Sequence, residues 1–133
     1  MMLKRKVNWP ELLAQFIDSR RFKPFSFGEN DCCLFAADAV LEMTGTDLAA
    51  DRRGYSTERE AISLIRNAGG MRELLRGLRE KNSGFASRGD IVMVAIEGRE
   101  TLGIVCGNGH WCGPGADALI FRPMIEVQKV FGI

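Results

Sequence analysis

The chain has 133 residues, of which 46% are hydrophobic and 26% charged, enough to bury the core of one domain over residues 1–133 and too few for a second. Eighteen Lys and Arg against seventeen Asp and Glu leave a formal charge of +1, which removes the electrostatic argument for nucleic acid or an anionic membrane surface. The longest apolar run, Ile91 to Ile96, falls far short of the roughly 20 residues of a membrane span. The N-terminal charges lead into Val7-Asn8-Trp9-Pro10-Glu11 and not into the apolar stretch of a secretory signal, so manufacture in a cytosol is expected.

In chain order, Lys4-Arg5-Lys6 reads as a solvated arm. Asn8 followed by Glu11 resembles a capping box, and Trp9, Leu12, Leu13, Phe16 and Ile17 recur at helical spacing, predicting a first helix to about Arg20. Phe22 to Gly28 reads as an extended connection, because Pro24 disfavours helical geometry before it and Gly28 permits a sharp turn. A second helix is expected from a cap at Asn30 or Asp31, through Ala36, Ala37, Val40 and Leu41, to Gly45. Thr57-Glu58-Arg59-Glu60 is a further capping box, followed by the stripe Ala61, Leu64, Ile65 and Ala68 and a stop at Gly69-Gly70. A short helix over Met71 to Leu78 completes the helical half.

From Arg88 onward β-branched runs are broken by glycine. Ile91–Ile96 and Thr101–Cys106 read as a hairpin about Glu97-Gly98-Arg99. Gly107-Asn108-Gly109 turns into His110-Trp111-Cys112, Gly113-Pro114-Gly115 turns again, and Ala118–Arg122 and Ile125–Phe131 supply further strands. Helices first and strands last is an α+β layout, with N-terminal helices packed on a C-terminal antiparallel sheet.

Chemistry concentrates at Gly28-Glu29-Asn30-Asp31-Cys32-Cys33, where a capping residue delivers a cysteine to a helix N-terminus. Free backbone N–H groups and the helix dipole there favour thiolate, lowering the thiol pKa from roughly 8.5. Cys32 reads either as an activated nucleophile or as a small residue packed at a helix start. Cys33, turned about 100° away, reads as core. His110 is the single histidine, and reads either as the base or as a turn-stabilising residue. Cys106, His110 and Cys112 form C-x3-H-x-C, a weak metal pattern that would need Cys32 or Cys33 as a remote ligand and lacks a zinc knuckle. Reduced thiols are otherwise expected, since four cysteines with two adjacent do not make a disulfide framework. No cofactor is called for. Asp38 and Asp90 lack partner carboxylates in sequence, and Asp90 is expected to tie down a turn. Trp111 reads as core or as an exposed contact with the Gly113-Pro114-Gly115 turn.

Gly28, Asp31-Cys32, Arg88-Gly89-Asp90-Ile91-Val92 and Leu102-Gly103-Ile104-Val105-Cys106-Gly107-Asn108-Gly109 resemble, in order and spacing, the landmarks of NlpC/P60 papain-like cysteine peptidases over most of residues 25–115. The resemblance implies that Cys32 is the nucleophile position, opened by Asp31. The family's histidine falls on Thr101, which has no basic nitrogen, and the next polar family position falls near Gly113, which has no side chain. The leading Trp9 helix, Asp31-Cys32-Cys33-Leu34-Phe35-Ala36-Ala37-Asp38 and Gly54-Tyr55 look more like a divergent branch encoded with phage tail-assembly genes. That branch implies a tail-tip or tail-assembly protein of the virion, made in the host cytoplasm, with a degenerate site and with tail-tip or baseplate proteins as partners. Three expectations follow: a protein-contact module of the tail tip, an active peptidase cleaving peptidoglycan peptides, or a small structural metal module of zinc or iron–sulfur type.

Overall fold

The order of elements follows from where apolar periodicity changes from helical to alternating. In the computed structural model, which describes residues 3–133, α1 spans Trp9–Arg20, α2 Cys32–Thr44 and α3 Glu58–Ala68. Strands β1 (Arg79–Lys81), β2 (Ile91–Ile96), β3 (Arg99–Gly107), β4 (His110–Pro114), β5 (Leu119–Pro123) and β6 (Lys129–Gly132) follow, with short 3₁₀ helices at Met71–Leu75, Ser83–Phe85 and Met124–Glu126. All six strands form one antiparallel sheet in the order β1-β6-β2-β3-β4-β5. The fold is the expected α+β arrangement of helices against an antiparallel sheet.

Strand alternation sends side chains to two cores. On the helical face Ile91, Met93, Leu102, Ile104, Cys112 and Phe131 pack with Leu13, Phe16, Phe35, Ala36, Ala39, Val40 and Met43. The Phe16 and Phe35 ring centroids lie 5.1 Å apart, joining α1 to α2. The small Ala36 and Ala39 let α2 lie close to the sheet, and Cys32 at its N-terminus meets the backbone of Leu102 in β3. On the other face Val92, Val94, Val105, Val127 and Val130 surround Trp111. Trp111 is fully buried, and its indole N–H reaches Glu126 at 3.1 Å, which settles its role as core. Its ring occupies the space above Gly103, where an added Cβ would lie 2.4 Å from the ring.

Several sequence expectations are corrected. Asn8 makes no side-chain cap; Pro10 opens α1 with its fixed φ, and the first turn closes by Leu12 N–H to Asn8 C=O at 3.1 Å. Arg5 is no solvated arm: its guanidinium bonds the carbonyls of Arg88 and Ile133 and the carboxylate of Asp90, and stacks over Trp9 at 4.2 Å. The expected helix Met71–Leu78 stops at Leu75, and the charged Arg79-Glu80-Lys81 becomes β1 because β6 offers a free edge. Ile125–Phe131 is a strand only from Lys129; Ile125 is exposed, on a 3₁₀ turn whose Glu126 is held by Trp111 and Arg122. Asp90 is buried and ties the Ser87 N–H to Lys81, Arg5 and the Ile133 N–H, so it clamps both the turn and the chain end.

Candidate functional site

The Asp31 carboxylate organises the N-terminus of α2. Its Oδ1 accepts from the Leu34 N–H at 2.9 Å, a helix cap, and Oδ2 accepts from the Gly28 N–H at 3.0 Å and from the Tyr55 hydroxyl. Gly28 stands at φ +84 with Tyr55 C=O so close that a Cβ would lie 1.9 Å from the oxygen, so only glycine admits this contact. Asp31 therefore binds the 25–30 turn, the 48–57 loop and α2 into one wall. Burial first, and then the Asp31 carboxylate, push the Tyr55 phenol well above its usual range, which keeps it a donor. Tyr55 is the site residue that sequence reasoning missed as such; the only signal was a lone tyrosine after Gly54 in a loop.

Cys32 and Cys33 open α2 and line one apolar cavity of about 110 Å³ with Phe25, Phe27, Leu64, Ile65 and Leu74. The Cys33 thiol lies 3.4 Å from the Met71 thioether. Cys33 packs against the main core, as expected, and hydrogen bonding from Cys33 is the largest reason that the Cys32 pKa is lowered. Burial opposes this, while the N–H groups of Leu102 and Cys33 assist it. Donation to Cys32 and burial raise Cys33 strongly. The pair therefore resolves into a thiolate-prone Cys32 and a thiol at Cys33.

Among the described residues no imidazole stands at Cys32. Thr101 pairs with Val94 and turns its hydroxyl back to Arg99 C=O at 3.4 Å, so β3 offers the thiol the backbone of Leu102. Gly113 is buried between the Leu102 carbonyl and the Trp111 ring. His110 opens β4 opposite Gly107, exposed, with Nδ1 2.8 Å from Asn108 C=O. Gly107 lies five residues along β3 from Leu102, roughly 16 Å of strand at about 3.3 Å per residue, beyond direct or single-water contact with Cys32.

The histidine stands beside a different thiol. A bulge at Cys106 brings that half-buried residue next to Cys112, whose thiol donates to it and holds its pKa down at about 7, helped by His110 and Arg88. Buried Cys112 is raised by the same bond and by burial. All four cysteines are free thiols. The metal reading of Cys106, His110 and Cys112 is withdrawn, because no three or more His, Cys, Asp or Glu among the described residues are placed to share an ion; Cys106 bonds the backbone carbonyl of His110 and not its ring. Asp38 is held between Arg20 at 2.7 Å and Arg53 at 2.6 Å, a structural role. No helix among the described residues is long and apolar enough to cross a membrane.

A family model described as "Domain of unknown function (DUF6950)" matches residues 4–133. The chain belongs to the DUF6950 family. No curated protein matches it in sequence. Among solved structures, the NlpC/p60 domain of the peptidoglycan hydrolase SagA is similar with a TM-score of 0.64 and 14% identity over 93% of this chain and 98% of that one. RipD from Mycobacterium tuberculosis, described as a non-catalytic NlpC/p60 domain protein adapted to peptidoglycan binding, is similar with a TM-score of 0.51 and 14% identity over 95% of this chain and 97% of that one. The DUF6950 chain therefore has the NlpC/P60 papain-like fold.

Proposed function

We propose that this domain is a catalytically degenerate NlpC/P60-type module of a phage tail tip or tail assembly, working through contacts with other tail proteins and retaining affinity for peptidoglycan peptides. One observation carries the reading: Cys32 keeps its helix N-terminus and Asp31 scaffold, while the chain's single histidine is placed with Cys106 at the far end of β3. A thiolate without a nearby imidazole has no partner to protonate the leaving amine of a cleaved peptide bond. RipD supports the cell-wall part, being a non-catalytic member of the same fold described as peptidoglycan-binding. The likeness of the Trp9 helix, Asp31–Asp38 and Gly54-Tyr55 to tail-assembly proteins supports the virion part.

Sedimentation with purified cell-wall sacculi and zymography on cell-wall material, each with wild type beside Cys32→Ala, test the reading together. Co-sedimentation without clearing is the expected result; clearing that disappears in Cys32→Ala overturns it. Mass spectrometry of purified particles tests the virion assignment, which falls if the chain is absent from them.

The opposing reading, an active peptidase, is favoured by the lowered Cys32 pKa and by N–H groups of the α2 terminus that would face a developing oxyanion. In that case Cys32 attacks the peptide carbonyl, and water must supply the proton for the amine.

A further inference from the structure

The chain between α2 and the first turn of α3 carries three arginines, Arg52, Arg53 and Arg59. Arg53 is neutralised by Asp38 at 2.6 Å and Asp47 at 2.9 Å. Arg52 keeps spare donors: only its Nη1 is engaged, by the Leu48 C=O at 3.3 Å and by Asp51 at 3.7 Å, so Nε and Nη2 have no partner among the described residues. Exposed Arg59 makes no ion pair among those residues.

These arginines stand where two hollows meet. The cavity of about 110 Å³ has Phe25, Phe27, Ile65, Leu74 and Ile91 in its walls, and a second cleft of about 480 Å³ is lined by Asp51, Arg53, Arg59, Glu60 and Ser63. Arg52, Tyr55 and Leu64 line both and form the neck between them. Of the carboxylates that line them, Asp31 is taken by Leu34, Gly28 and Tyr55, and Glu60 by the Ser56 N–H and the Thr57 hydroxyl. Asp51, mostly exposed, is a loose neighbour of Arg52.

We propose that the cavity and its arginine neck bind a short aliphatic carboxylate of about six carbons, its tail in the apolar cavity and its carboxylate on Arg52.

The length follows from the cavity. An apolar cavity of about 150 Å³ accepts benzene, so the smaller one here takes roughly four carbons. The carboxyl carbon and its neighbour then span the neck, and a longer tail meets the wall. The walls favour an apolar tail because a cavity so lined holds water poorly and burial of each methylene is favourable. The head group follows from charge. Spare Nε–H and Nη2–H donors are one edge of a guanidinium, the edge that grips a carboxylate with two parallel bonds. Arg59 adds attraction from the cleft, whereas a cationic head would meet both arginines. No bond to either cysteine is needed, and the site does not depend on any cell-wall contact.

The test follows the NMR resonances of the reduced full chain as butanoate, hexanoate, octanoate and decanoate are added, with hexanol as the uncharged probe of equal length. Affinity is expected to rise about fourfold per methylene from butanoate to hexanoate and to level off by octanoate, with the largest shifts at Phe27, Leu64, Ile65 and Leu74. Hexanol should bind about tenfold more weakly than hexanoate. Arg52→Gln should bring hexanoate down to the hexanol level, and Asp51→Asn should tighten it. Leu74→Ala, which enlarges the cavity, should move the levelling point beyond octanoate. The proposal is overturned if hexanoate shifts no cavity resonance, if hexanol matches hexanoate, or if Arg52→Gln leaves hexanoate affinity unchanged. It is equally overturned if wild-type affinity keeps climbing to decanoate, as it would on an open apolar surface. Should Leu74→Ala not fold, the wild-type chain-length profile and the Arg52→Gln comparison decide. Sacculi enter none of these measurements, so their failure leaves the cell-wall reading standing.

Discussion

Cys32–Cys33 at the start of α2 and Cys106–Cys112 on the β3–β4 hairpin are both thiol pairs in which one member is lowered by a hydrogen bond from the other. They differ in what surrounds them. The first sits in an apolar wall braced by Asp31 and Tyr55; the second sits at a bulge, half open to solvent, with His110 and Arg88 near. An anion-stabilising helix end and an imidazole both exist in this molecule, at separate thiols. The difference teaches that a cysteine's pKa and its catalytic competence are independent properties: the first needs donors, the second also needs a proton acceptor within reach.

The brace is the easiest part of the comparison to break. Gly28→Ala forces a side chain into the left-handed region and onto the Tyr55 carbonyl, and is expected to cost about 2–4 kcal/mol in urea unfolding. Asp31→Ala removes the α2 cap and strands two further donors, for an expected cost of about 2–3 kcal/mol. Tyr55→Phe, which leaves the cap intact, should cost about 1 kcal/mol by the same measurement.

At the hairpin the effect is chemical. Iodoacetamide labelling of Cys106 should rise through pH about 7, and Cys112→Ala should move that midpoint toward the ordinary thiol value near 9. His110→Ala should move it in the same direction by less and leave Cys32 labelling unchanged. A depressed folded pKa means that the unfolded chain binds more protons in this window, so Cys106 makes stability grow from pH about 7 to about 9 and its contribution is lost as pH falls through about 7. Thermal melts at pH 6.5 and 8.5 check the sign, and Cys112→Ala should flatten the slope. Smallest is Thr57→Ala, at the exposed start of α3. It removes the side-chain oxygen that caps α3 through the Glu60 N–H and should cost about 1 kcal/mol, lowering the melting temperature by a few degrees.

Local patterns reached far into this fold. The α2 cap at Asp31, the α3 capping box and the β2–β3 hairpin each rest on side-chain chemistry within a few residues, so they were legible. β1 was not, because Arg79-Glu80-Lys81 has no apolar alternation and exists as a strand only through its pairing with β6. Tyr55 and Met71 joined the site from 24 and 38 residues away in the chain, separations that carry no periodic signal.

By itself the sequence determined the α+β order, the capped cysteine and the lack of a histidine at Thr101, because these depend on residue identity and short spacing. Tertiary structure alone decided that His110 serves Cys106, that Cys33 faces Cys32 and Met71, and that Asp31 holds Tyr55. Register and packing bring those groups together across gaps that local backbone preference does not span.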